Sequence, residues 1–262
     1  LYPNVEVPID QPDDFYSLYF SKGVFLEAEL LASELVQDSA PASRSVLQVF
    51  RSGDSGEEGA RTLATLLGQH GIATQSHVLP ASGSAADTGS ALAALARDQA
   101  LVLWLRPPDL AALGAMPAGF ASVYVSGLLG GLENAPLPAS WRQRASMTYP
   151  FDLPDRRRVR VDFALGWFRA RHIPVVAEQV QADTYLACSL VSETLNHMVD
   201  TFVREYLVER SQAMLEHRIV TGYYPRLALA TGQHFASKGG YLVKWADPSG
   251  RRIVAEGDWT VP

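Results

Sequence analysis

Ser45-Val46-Leu47-Gln48-Val49-Phe50, followed by Ser52-Gly53-Asp54-Ser55-Gly56 and then a run from Glu57 to Gln69 that closes at Gly71, is the stretch on which the fold turns. The first six residues are a short apolar run, partly β-branched; the next five have the composition of a turn; the run after them has helical spacing. An apolar strand that passes through a tight turn into a helix is the opening half of a βαβ unit. Asp54 or Ser55 stands where a helix cap is needed, and Glu57 and Glu58 suit the positive end of the helix dipole.

The same alternation extends to both sides. Val24, Leu26, Ala28, Leu30, Leu31 and Leu35 mark a helix that runs from about Phe20 to Ser39-Ala40-Pro41. Ile72 to Leu79 reads as a second strand, Ala85 to Asp98 as an Ala-rich helix, and Leu101 to Leu105 as a third strand. Pro108 to Ala115 reads as a short helix, and Phe120 to Val125 and Ala145 to Tyr149 as two more strands. Continuous apolar strands separated by helices predict an α/β fold with a doubly wound parallel sheet covered on both faces, since crossover helices hide both sides.

Beyond Gly130 the rhythm changes. A helix with Val161, Ala164, Leu165, Phe168 and His172 on one face is closed by Pro174, and two further helices are expected over Ala182 to Asp200 and Phe202 to His217. Tyr241 to Trp245 and Arg252 to Ala255 flank Asp247-Pro248-Ser249-Gly250, the composition of a hairpin turn. The expected organisation is a proline-rich connector or hinge over 1–20 and an α/β lobe over 21–175. A helical segment over 176–230 is assigned to a second, partial lobe, and a β-hairpin over 231–262 returns to the α/β lobe.

Composition narrows the function. With 47% apolar and 19% charged residues and a net charge of −6, the 262-residue chain is expected to fold and not to bind nucleic acid. The one basic run, Arg156-Arg157-Arg158 with Arg160, lies among Asp152, Asp155 and Asp162 and reads as a solvated helix start. The lone Cys188 excludes an intrachain disulfide or a cysteine zinc site and reads as a small buried hydrophobe. No apolar run reaches the length of a membrane span, and Leu1 does not open a signal sequence, so any targeting segment is expected to have been removed.

No catalytic or metal constellation emerges. Gly53-Asp54-Ser55-Gly56 matches a serine-protease tetrapeptide, but the first histidine, His70, follows the serine, and an α/β pattern does not build two antiparallel barrels. The glycines match neither the dinucleotide fingerprint nor a phosphate loop. The six histidines show no ligand spacing; Glu193 and His197, one helical turn apart, read as a simple hydrogen-bonded pair. No cofactor is expected.

Several segments together resemble the type I periplasmic-binding-protein superfamily, in the branch that binds leucine, amides and branched-chain amino acids. Ser21 to Ala28, Val46 to Gly56 and the helix ending at Gly71 are similar to the start of that family's second lobe. Phe120 to Gly127 is similar to the strand whose end faces the cleft, and Ala182-Asp183-Thr184-Tyr185-Leu186-Ala187 to the helix after the crossover back. Gly232-Gln233-His234-Phe235-Ala236-Ser237-Lys238-Gly239 with Tyr241-Leu242-Val243 resembles a motif of bacterial substrate-binding-like proteins, some of them encoded with redox or cytochrome systems.

The resemblance implies a non-catalytic, extracytoplasmic receptor that closes between two lobes on an amino acid, amide or similar small polar molecule. Its expected partner is a membrane permease or a cytochrome. The first-lobe sheet of the family is expected to stand before residue 1. The ligand-binding candidates that the resemblance gives are Tyr19, Ser21, Asp54, Ser55, Ser126, Gly127 and Tyr149. Two alternatives stay open: a degenerate receptor domain that contacts a cytochrome or dehydrogenase through an exposed apolar patch, and an α/β enzyme with a convergent acid, base and nucleophile.

Overall fold

A computed structural model describes residues 1–9, 15–37, 45–82, 88–95, 99–217 and 222–262. The expected helix end at Ser39-Ala40-Pro41 and the flanks of the Ala85 to Asp98 helix lie outside the described residues. Internal contacts divide the chain into two compact units: unit 1 is Leu1–Lys22 with Phe151–Lys238, and unit 2 is Gly23–Pro150 with Gly239–Pro262.

Unit 2 carries the sheet. Its elements run α1 Val24–Gln37, β1 Ser45–Arg51, α2 Ser55–Gln69, β2 Ala73–Leu79, α3 Thr88–Leu95, β3 Ala100–Trp104 and α4 Pro107–Ala111. They continue with β4 Ser122–Val125, α5 Gly127–Gly130, α6 Ala139–Arg142, β5 Ala145–Tyr149, β6 Tyr241–Trp245 and β7 Ile253–Ala255. The sheet order is β2-β1-β3-β4-β5-β6-β7, with β2 to β5 parallel and β6 and β7 antiparallel. This is the doubly wound α/β fold that the strand spacing predicts.

The strands differ in composition because they differ in burial. All five residues of β3 and the five central residues of β1 are buried, which explains runs that are almost wholly apolar, and β5 is fully buried too although it carries the polar Ser146 and Thr148. The edge strand β2, Ala73-Thr74-Gln75-Ser76-His77-Val78-Leu79, is largely exposed and correspondingly polar. In β1 the buried polar residue is Gln48: its Nε2 donates to Ala60 O at 3.0 Å and its Oε1 accepts from Trp104 Nε1 at 2.9 Å, tying β1 to α2 and β3.

The turn after β1 explains its glycines without chemistry. Gly53 has φ +75°, a left-handed conformation that costs glycine little. Gly56 and Gly59 let α2 lie on Trp104: a Cβ at Gly56 would come within 2.6 Å of Trp104 O, and one at Gly59 within 2.9 Å of the indole ring.

Unit 1 is helical, with α7 Pro154–Ala170, α8 Glu178–His197 and α9 Arg204–His217. Tyr19 and Phe235 form an isolated parallel bridge, flanked by Tyr19 N to His234 O at 2.8 Å and Ala236 N to Tyr19 O at 3.0 Å. An aromatic cluster joins Tyr2, Phe20, Phe151, Tyr223 and Tyr224.

Three sequence readings are corrected in this unit. Arg157 is buried, not solvated: its guanidinium lies 4.0 Å from the Tyr223 ring centroid and donates to Asp152 O at 2.7 Å. Cys188 is exposed, because it lies with Thr184 on the outer face of α8, while Leu186 and Leu190 take the inner one. His172 lies beyond the end of α7 with φ 57°, so it does not continue the buried face of Val161, Ala164 and Leu165.

Candidate functional site

In unit 2 the crossover direction reverses at β1, which has β2 on one side and β3 on the other. Such a switch point opens a crevice at the C-terminal ends of the two flanking strands, the place where open parallel sheets take ligands. Four charged side chains meet there. Arg51 ends β1, Asp54 caps α2, Arg106 precedes α4, and Asp109 lies within α4.

They form two forked ion pairs. Arg106 donates from Nε to Asp54 Oδ2 at 2.9 Å and from Nη2 to Oδ1 at 2.7 Å. Arg51 donates from Nε to Asp109 Oδ2 at 3.2 Å, from Nη2 to Oδ1, and from Nη1 to Pro80 O. The first pair is the more accessible, with side chains 35% and 20% exposed against 15% and 7% for the second. Arg106, with the Ser55 amide at 2.8 Å, holds the Asp54 carboxyl below the usual carboxylate range, so the pair stays charged at neutral pH. Two cations and two anions side by side suit a solute that carries groups of both signs, and each half of such a solute must displace an internal partner.

A second cluster lies at the C-terminal ends of β4 and β5. The carboxylate of Glu27, on α1, is fully buried. It accepts from Ser126 Oγ at 2.5 Å, Thr148 Oγ1 at 2.6 Å, Gly127 N at 2.8 Å and Leu128 N at 3.0 Å. Burial pushes its pKa up to about 7, and the four donors oppose that rise. Ser126 also caps α5 through Leu129 N at 3.2 Å. A Cβ on Gly127 would lie 2.0 Å from Thr148 O, so a side chain there is excluded by β5 itself.

The predicted residues therefore fall into separate settings. Asp54 and Ser55 are half-buried at the switch point. Ser126 and Gly127 are brought together, but their polar groups are engaged by Glu27. Tyr149 is fully buried, and its hydroxyl donates to Glu133 Oε2 at 2.7 Å. Tyr19 and Ser21 belong to unit 1; Tyr19 is buried, stacked on Phe235 at 5.5 Å, with its hydroxyl donating to Ile9 O at 3.2 Å.

Sequence reasoning missed Glu27, Thr148, Arg51, Arg106 and Asp109. Glu27 had a signal, as an acid at a buried position of the apolar helix Val24 to Leu31. The arginines had none, because their partners lie more than fifty residues away. Among the described residues no group of three His, Cys, Asp or Glu side chains is placed to hold a metal ion, and no helix is long and apolar enough to cross a membrane.

No protein-family model matches the chain, and no curated protein matches it by sequence. Solved structures do match in fold. A fatty acid ABC transporter substrate-binding protein from Thermomonospora curvata aligns with TM-score 0.61 at 12% identity, over 94% of this chain and 64% of that one. A branched-chain amino acid ABC transporter protein from Thermus thermophilus with bound valine aligns with TM-score 0.65 at 13% identity, over 97% and 69%. A leucine-binding protein from Thermotoga maritima aligns with TM-score 0.61 at 11% identity, over 92% and 67%. The chain thus has the fold of periplasmic substrate-binding proteins and spans about two thirds of their length.

Proposed function

We propose that the protein is an extracytoplasmic solute-binding protein that takes a small polar solute, such as an amino acid or amide, without transforming it. A membrane permease is the natural receiver of that solute. The observation that carries this reading is the partly exposed Arg106–Asp54 pair at the switch point of a sheet whose fold is that of solute-binding proteins. A guanidinium there can take a carboxylate and Asp54 an ammonium, so a zwitterion or a carboxylate-bearing amide satisfies the edge in exchange for the internal pair. The permease half of the expected partnership has support in what the fold neighbours are; the cytochrome half has none.

The test is thermal unfolding of the full gene product with amino acids, amides, small carboxylates and amines at millimolar concentration. A ligand at a hundred times its dissociation constant adds about 2.7 kcal/mol and raises the midpoint by several degrees. Arg106→Ala is expected to abolish the shift from the responsive compound while leaving the protein folded. A panel in which no compound moves the midpoint, or a shift that survives Arg106→Ala unchanged, counts against this site.

A further inference from the structure

The two edges of the unit 2 sheet are built differently. β7 is three residues long, follows Arg251 and Arg252, and ends before Glu256, which is ion-paired to Lys244 of β6. A short edge set among charges resists pairing with a foreign strand, which is how sheet edges are commonly protected. β2 lacks these protections. It is seven residues long, as long as β1, and contains no Asp, Glu, Lys, Arg or Pro. Its register with β1 is unbroken from Ser45↔Ala73 to Arg51↔Leu79, so no bulge turns it away. Ala73, Gln75, Ser76 and Val78 are exposed.

Strand geometry fixes which backbone groups of β2 face outward. The carbonyl of Leu79 accepts from Ser52 N at 2.9 Å, on the side of β1. Backbone groups alternate sides along a strand, so those of Ala73, Gln75, His77 and Leu79 serve β1, and those of Thr74, Ser76 and Val78 point away from it. Among the described residues, the N–H and C=O groups of Thr74, Ser76 and Val78 have no hydrogen-bond partner.

This outward row is complementary to itself. With two copies of β2 antiparallel about a two-fold axis at Ser76, that residue faces Ser76 of the partner subunit, and Thr74 faces the partner's Val78. Every outward group then pairs, in about six hydrogen bonds. Gln75 faces the partner's His77, an amide against an imidazole, and Ala73 faces the partner's Leu79. No acid and no lysine or arginine stands in the strand to bring like charges face to face. An unrelated strand would have to match this neutral row by chance, whereas a second copy matches it by symmetry.

We infer that β2 is a docking edge for a second copy of this chain, paired antiparallel about Ser76 so that the two sheets become one. The inference goes beyond the solute reading and does not rest on it, because the edge is read without any ligand.

One strand pair buries little area, so the association is weak and belongs to the micromolar range. In sedimentation velocity the full-length, ligand-free protein is expected to have twice its chain mass at about 200 μM and its chain mass at about 1 μM. Ser76→Pro removes an N–H that points outward, so it costs the sheet no internal bond, and Ser76→Lys places two ammonium groups across the axis. Both variants should keep the parent's circular dichroism and stay monomeric at about 200 μM, while Val254→Lys on the opposite edge dimerises as the parent does. By NMR, the amides of Thr74, Ser76 and Val78 should exchange at least about tenfold more slowly at the high concentration than at the low one. A parent that is monomeric at both concentrations overturns the proposal, and so does a dimer that survives both Ser76 variants. Protection of the three amides that does not change with concentration also overturns it, because the edge is then covered by the chain itself.

Discussion

Glu27 is the residue whose environment decides most. A buried carboxylate with four donors has two opposing effects on stability: the donors favour the charged form, and burial disfavours it. Because its folded pKa of about 7 exceeds the unfolded value of 4.5, the folded state holds the proton more tightly. Its contribution is therefore complete below about pH 4.5 and is lost as pH rises to about 7. Glu27→Gln keeps an acceptor for the Gly127 and Leu128 amides and removes the titration, so its stability should be flatter than that of the parent between those pH values. Glu27→Ala removes the acceptor of the Ser126 hydroxyl and the Leu128 amide, while Gly127 N keeps Thr148 Oγ1 and Thr148 Oγ1 keeps Val125 O, so the cost should be roughly 2–3 kcal/mol. Urea titrations at pH 5 and pH 8 check both; a Glu27→Gln variant whose stability falls between those pH values as steeply as the parent's would show that another group titrates. The sequence shows Glu27 as an acid in an apolar helix, but its four donors come from positions about 100 to 121 residues later, a distance at which no local pattern can announce them.

At the scale of elements, spacing was a good guide wherever burial imposed it. β1 and β3 are almost wholly apolar because both faces are covered, and β6 and β7 are separated by a turn that only a hairpin needs. Elements held by distant partners were less legible. The α7 helix belongs to unit 1 although it follows β5, the last strand of the first stretch of unit 2, whereas the strand-and-helix rhythm extends the α/β lobe to residue 175. A helix that follows a strand reads as the next step of a βα repeat, whichever unit it packs on. The seat of α2 on β3 gives a paired prediction within one helix. Gly56→Ala places a methyl group 2.6 Å from Trp104 O and should cost about 1–3 kcal/mol, since backbone must move. Gly68→Ala meets nothing within 4 Å and should stabilise by about 0.5–1 kcal/mol through helix propensity. Thermal midpoints that move in the same direction for both would refute the packing role given to Gly56.

The chain comprises a sheet-bearing unit and a helical one, and the two carry different titrating groups. Asp183 in α8 is the counterpart in unit 1 of Glu27 in unit 2. It is 2% exposed, its Oδ1 has no hydrogen-bond partner, and burial raises its pKa to about 8, against the opposing effects of the Gln179 side chain and the charge of Arg157. Tyr224, buried nearby, is raised well above its usual value, by burial first and then by Asp183, and so stays neutral over the relevant range. The folded pKa of Asp183 again lies above the unfolded one, so its contribution is complete below about pH 3.8 and lost by about pH 8. Calorimetry should then resolve two transitions, because the units have separate cores and unit 1 has the greater uncovered apolar surface. Between pH 7 and pH 8 Glu27 is the further through its titration, so the unit 1 transition should fall more steeply with pH than the unit 2 transition. Trp167 is the one tryptophan in unit 1, and its fluorescence, isolated by comparison with Trp167→Phe, identifies which transition is which. Asp183→Asn should stop the drift of the lower transition and leave the upper one alone. A single transition, or a drift above pH 7 that Asp183→Asn does not remove, would mean that the two units unfold as one or that another group controls the alkaline side.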